Sequence, residues 1–153
     1  MRRRGFTLIE VLAALVVITV TLMLGVVVGR KWVQEQREMA FCQRVVTEWN
    51  AMMVNAENSK DNYTMEFKQA SKQPCTANFM HDLPNGEHVI SVIAPLSLQI
   101  MNNSSFTVRR KTGQNFTQPL TIMIESQSGA VYKMVLELGW GRLKLLKNGV
   151  LVE

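Results

Sequence analysis

One carboxylate interrupts the apolar run near the start of the chain: Glu10 follows Phe6-Thr7-Leu8-Ile9 and precedes Val11-Leu12-Ala13-Ala14-Leu15-Val16-Val17. An acidic side chain in hydrocarbon costs roughly 2.5 to 3.5 kcal/mol, so a carboxylate kept there marks a function and calls for a positively charged partner. Ahead of the run stand Arg2-Arg3-Arg4 and then Gly5. With no side chain at Gly5, the backbone can take an extended shape in a protease cleft without a clash.

Other residues that could do chemistry are sparse. His81 and His88 are the two histidines, Asp61 and Asp82 the aspartates, and none stands at a metal-ligand or catalytic-triad spacing. No Gly-x-x-x-x-Gly-Lys-Ser/Thr string is present to cradle phosphates. The chain therefore reads as non-enzymatic, with no cofactor and no metal site. Two aspartates in different loops also do not make the clustered oxygen set that calcium needs.

Cys42 and Cys75 are the two cysteines. Outside the cytoplasm they could form a disulfide, closing a loop worth roughly 3 to 4 kcal/mol on the chain-entropy model. The alternative is a buried thiol at Cys42 and a free surface thiol at Cys75. Arg109-Arg110-Lys111, with Arg142, Lys144 and Lys147 further along, could offer a basic edge to nucleic-acid phosphates. Ordinary solvated turn charges are the competing reading. Formal charge is +5, and three of those charges are the leader arginines, so overall basicity is no argument for nucleic acid.

These residues must be positioned by three kinds of element. The apolar stretch from Phe6 to Gly29, at about 1.5 Å per helical residue, reaches roughly 36 Å and can cross a bilayer core. Arg2, Arg3 and Arg4 favour a cytoplasmic leader, a bias weakened by Arg30, Lys31 and Arg37 beyond the span. A secretory signal peptide would have a shorter apolar region, a small-x-small cleavage site and no internal acid.

Next, Trp32, Phe41, Val45, Val46, Trp49, Met52, Met53 and Ala56 recur at helical spacings of three and four. They predict an amphipathic helix continuous with the span and ended by Asn58-Ser59-Lys60-Asp61-Asn62. Glu35, Arg37, Glu38, Gln43, Arg44, Glu48 and Asn50 fill the other positions. The stripe is expected to lie on a sheet.

From Tyr63 the period becomes two. Strands are expected around Tyr63–Phe67, His88–Ile93, Leu96–Ile100, Phe106–Val108, Leu120–Ile124, Val131–Leu138 and Leu143–Leu145, five to seven in all, forming an antiparallel meander. Leu83-Pro84-Asn85-Gly86, Lys111-Thr112-Gly113-Gln114, Ser126-Gln127-Ser128-Gly129 and Lys147-Asn148-Gly149 supply the turns. Helix first and then sheet is an α+β order. The divisions are 1–5 as leader, 6–29 as span, 30–58 as amphipathic helix and 59–153 as a sheet region.

Gly5-Phe6-Thr7-Leu8-Ile9-Glu10 followed by an apolar helix resembles the leader and N-methylation motif of type IV pilins and pseudopilins. The resemblance implies a pilin-like fold, with a long N-terminal helix on a C-terminal antiparallel sheet. It implies that a prepilin peptidase cuts between Gly5 and Phe6 and methylates the Phe6 amine. It implies, too, that Glu10 neutralises the N-terminal amine of a neighbouring subunit as the helix joins a filament. Such a pair would set register between subunits more than it adds stability, because desolvation offsets much of its Coulomb attraction. Localisation would be a single-pass cell membrane anchor with the sheet region outside, and the cell surface after assembly.

The segment Tyr132–Arg142, ending Leu138-Gly139-Trp140-Gly141-Arg142, is similar to the ends of minor pseudopilins from Gram-positive competence operons. That similarity implies a minor subunit of a transformation pilus supporting DNA uptake. Its partners would be sibling pseudopilins, a platform membrane protein, an assembly ATPase and, directly or indirectly, extracellular DNA. A minor pseudopilin of type II secretion, or a minor pilin of an adhesive pilus, is the alternative. Read alone, Gly139 and Gly141 around Trp140 are a strand-to-strand turn with the indole over a sheet edge.

Overall fold

The structure, a computed structural model, describes residues 8–58, 62–69, 73–83, 86–101, 105–110, 119–137 and 141–152. Helix α1 runs Leu8–Asn58, 51 residues without proline. The chain divides into two compact units, Met1–Gln36 and Arg37–Glu153.

In the first unit, the apolar side chains of α1 from Leu8 to Val28 are exposed. A window of this helix has a mean hydropathy of 2.9 and none of it is buried, so the helix is long and apolar enough to cross a membrane. The hydroxyls of Thr19 and Thr21 are satisfied locally. Thr19 Oγ1 donates to the Leu15 carbonyl at 2.7 Å and Thr21 Oγ1 to that of Val17 at 2.6 Å, as polar groups facing hydrocarbon must.

In the second unit, the rest of α1 packs on two antiparallel sheets. Strands β1 (Asn62–Lys68), β2 (Thr76–Leu83), β3 (Gly86–Ile93) and β5 (Ser105–Arg110) form one sheet in the order β3-β2-β1-β5. Strands β4 (Leu98–Ile100), β6 (Leu120–Ser126), β7 (Val131–Leu136), β8 (Leu143–Lys147) and β9 (Val150–Leu151) form the other in the order β4-β6-β7-β8-β9. Alternate residues of both sheets join Phe41, Val45, Val46, Trp49, Met52, Met53 and Ala56 of the helix in one core.

The single meander expected from the sequence is thus two sheets. The chain leaves the first sheet after β3, contributes β4 to the second, returns for β5 and then completes the second. Gln69, just past β1, links them: Ile100 N donates to its Oε1 at 2.8 Å, and its Nε2 donates to the Leu98 carbonyl at 3.4 Å. Strands β2 and β9 are additions to the expected set.

The expected turns at both ends of these additions are present. Leu83 pairs with Gly86 across the β2–β3 hairpin, and Gly86 has φ +134°. Lys147 pairs with Val150 around Asn148 (φ 50°) and Gly149 (φ 83°), the left-handed pair that a two-residue hairpin requires. The Lys111–Gln114 turn and the Leu138-Gly139-Trp140 string lie outside the described residues.

Two readings of the helix need correction. Trp32 is 63% exposed and does not belong to the buried stripe; it falls in the first unit, ahead of Arg37. Glu38, assigned by its charge to the outer positions, is fully buried. Its spacing to Cys42, Val45 and Trp49 puts it on the core face.

Candidate functional site

The chemistry-bearing residue of the first unit is Glu10. It lies in the first turn of α1 and is exposed among apolar side chains. An acid in the first turn is favoured by the helix dipole. Gly5 and Phe6, the expected cleavage and methylation positions, lie outside the described residues. Within its unit, the helix from Leu8 to Val28 exposes its apolar side chains along the whole stretch, which demands lipid or neighbouring helices as cover.

Polar bonds as well as packing fasten the second half of α1 to the sheets. Trp49 is fully buried and its Nε1 donates to the Gly141 carbonyl at 2.6 Å. Asn50 grips the start of β8 at both backbone groups: Leu143 N donates to Asn50 Oδ1 at 3.0 Å, and Asn50 Nδ2 donates to the Leu143 carbonyl at 3.3 Å. Glu38 takes hydroxyl bonds from three places. Ser97 Oγ and Ser126 Oγ donate to its Oε1 at 2.7 and 2.8 Å, and Tyr132 OH donates to its Oε2 at 3.2 Å. Hydrogen bonds to a charged group are stronger than neutral ones, which is how a carboxylate can be held at zero exposure. The charge of Glu38 singled it out as an outer residue in the sequence; only its helical phase with Cys42, Val45 and Trp49 tells otherwise.

Cys42 and Cys75 are both free thiols and both buried in the core. A surface thiol at Cys75 is therefore excluded. Burial pushes both thiols up: Cys75 to about 12, and Cys42 further, because Glu38 one turn earlier and Cys75 itself add to the effect of burial. Neither is poised as a nucleophile in the folded domain.

The basic and imidazole residues do not converge. Arg109 and Arg110 are in β5, where their backbone positions pair with Thr64 and Tyr63; Lys111 lies outside the described residues. Arg142 is exposed, Lys144 Nζ meets Glu137 Oε1 at 2.6 Å, and Lys147 Nζ lies 5.9 Å from the Tyr132 ring centre. His81 stacks on Tyr63 with ring centres 4.3 Å apart and pairs across strands with His88. Among the described residues no group of three or more histidine, cysteine or acidic side chains could hold a metal. A cavity of about 250 Å3 lined by Gln99, Glu125, Ser126, Gln127 and Gly129 has one hydroxyl, that of Ser126, already bonded to Glu38 and close to Ser128 Oγ.

A functional element is thus placed at the first helix, where an acid sits in an apolar surface with no core of its own. A family model, the prokaryotic N-terminal methylation motif, matches residues 1–26. The motif marks a type IV pilin-like chain. It implies processing by a prepilin peptidase and assembly with pilin machinery, and with the exposed apolar helix it marks a membrane-anchored prepilin. Pilin-like chains are typically non-enzymatic. No curated protein and no solved structure matches the chain.

Proposed function

We propose that this chain is a minor pseudopilin of a competence-type type IV pilus, supporting capture and uptake of extracellular DNA. The observation that carries the filament part is Glu10 within the methylation motif, exposed at the start of an uncovered apolar helix. Cleavage falls between Gly5 and Phe6. The Phe6 amine is methylated, and Glu10 pairs with the amine of the neighbouring subunit in the filament. Opposite charges in a lipid-like environment tolerate each other where either alone would cost several kcal/mol, so the pair selects one axial register. The similarity of the Leu138–Arg142 string to competence pseudopilins supports the transformation role. In this reading the sheet region stands outside the cell membrane and contacts sibling pseudopilins, and the work of assembly comes from a separate ATPase and platform protein.

Two measurements test these parts separately. Mass spectrometry of the membrane-extracted chain should find an N-terminal N-methylphenylalanine at Phe6; an intact leader overturns the processing. A deletion strain should lose transformation and regain it with the wild-type chain. Unchanged transformation with a loss of secretion or adhesion moves the assignment to a secretion pseudopilin or adhesive pilin.

Direct contact with DNA through Arg109, Arg110 and Lys111 belongs to this proposal as its most exposed part. Changing all three to alanine should reduce DNA retention by assembled pili while leaving pilus number unchanged. Unaltered retention rules that contact out.

A further inference from the structure

Two cations stand where the apolar stretch of α1 ends. Arg30 and Lys31 follow Val26-Val27-Val28-Gly29, and both are exposed within the first unit. Neither forms an ion pair among the described residues, whereas Arg44, Lys68 and Lys144 each do. The nearest acid along the helix, Glu35, is half-buried. Trp32 comes next and is 63% exposed, outside the buried stripe that its spacing would have joined.

The distance from Glu10 gives these residues a level. No charged residue lies between Glu10 and Arg30, and the helix rises about 30 Å from one to the other at about 1.5 Å per residue. The hydrocarbon core of a bilayer is also ~30 Å thick. With Glu10 at one boundary, Arg30, Lys31 and Trp32 therefore reach the other. Their types suit that level. Long cationic side chains keep their stems in apolar surroundings and extend their heads to phosphates, and an indole places its ring in the interface with its N–H toward water.

In the orientation proposed above, this boundary belongs to the outer leaflet, where basic residues oppose the bias set by the leader arginines. Two exposed cations placed against that bias call for a counter-charge on that side.

We propose that Arg30 and Lys31, flanked by Trp32, form a binding site for the anionic phospholipid headgroups of the outer leaflet. The attraction of a cation to such a surface falls off within a Debye length, about 8 Å at physiological salt, so these two residues at the end of the span feel it most. Once Arg2, Arg3 and Arg4 leave with the leader, they are the basic side chains that remain on the first unit. Their hold on the headgroups then sets the depth of the span. It keeps the Glu10 carboxylate near the cytoplasmic edge of the hydrocarbon, where an acid costs less than at the bilayer centre. The inference rests on the membrane anchoring and orientation of this chain.

The test places the full chain in nanodiscs holding equal amounts of phosphatidylglycerol and phosphatidylcholine, with R2Q/R3Q/R4Q in every sample to remove the charge of the leader. Native mass spectrometry then counts the lipids that each released chain retains. The parent should keep phosphatidylglycerol about three-fold over phosphatidylcholine. R30Q/K31Q should retain the two lipids equally, and R30K/K31R, which preserves both charges, should match the parent. A preference unchanged in R30Q/K31Q, or lost in R30K/K31R, overturns the proposal. So does a parent with no preference, which would assign the two cations to an acidic neighbour in the filament instead. Co-elution of chain and nanodisc is read in the same samples. A chain that fails to insert overturns the anchor itself, whereas one that inserts without the preference overturns only the headgroup site.

Discussion

Glu38 shows how much one residue can decide. It has no solvent exposure, yet it joins the helix to the loop before β4, to the end of β6 and to β7 through Ser97, Ser126 and Tyr132. Replacing it by leucine removes the acceptor of three hydroxyls, those of Ser97, Ser126 and Tyr132, the last two of which are buried. The expected loss is about 3 kcal/mol, read as a lower denaturation midpoint for the full chain in detergent. No change would mean that these bonds do not hold the helix. The thiols give a second prediction at this scale. In the reduced chain, Cys75 has a folded pKa of about 12 against an ordinary value of 9.0, and that of Cys42 is also raised. The unfolded chain therefore releases these protons first as pH rises. Their contribution is complete below pH 9.0, declines between there and about 12, and is lost as pH passes the folded values. C42A/C75A should flatten that alkaline decline; an oxidised Cys42–Cys75 pair would show none to flatten, which makes the melt a report on the oxidation state.

Among the elements, the long helix and most strands were legible because their periods are clean: three and four from Phe41 to Ala56, two from Tyr63 to Phe67 and from Val131 to Leu136. Strand β2 was not, because its buried Ala77 and Phe79 alternate with Thr76, Asn78 and the apolar Met80, and His81 and Asp82 then break the period with turn-like polarity. Strand β9 is two exposed residues, below what any periodicity can show. The two-sheet topology was equally hidden, since which strand returns to which sheet depends on contacts such as Gln69 with Leu98 and Ile100. The β8–β9 hairpin, by contrast, is written in Asn148-Gly149. Asn148 combines a φ of 50° with an Oδ1 that accepts from Val131 N at 2.9 Å. N148V puts a β-branched side chain in the left-handed region and removes that acceptor. It should cost about 2 kcal/mol, measured by chemical denaturation, and an unchanged midpoint would contradict this account of the turn.

For the whole molecule, the division of labour follows from where apolar surface is covered. The unit from Arg37 onward buries its own core around Trp49 and fastens its helix with Glu38, Trp49 and Asn50; the unit before it exposes an apolar helix bearing one acid. A filament subunit needs both, a folded domain and an anchor whose cover is supplied by lipid and then by neighbours. The anchor and its acid could be read from the sequence because hydrocarbon permits few charges. The role of the folded domain could not, because DNA uptake, secretion and adhesion place their demands on surfaces that no spacing of residues announces. The most direct measurement complements a deletion strain with wild type or with E10A, both confirmed as expressed and cleaved, and scores incorporation into pili together with transformation frequency. This account predicts that wild type restores both and E10A restores neither. Incorporation and transformation by E10A at wild-type levels would contradict it.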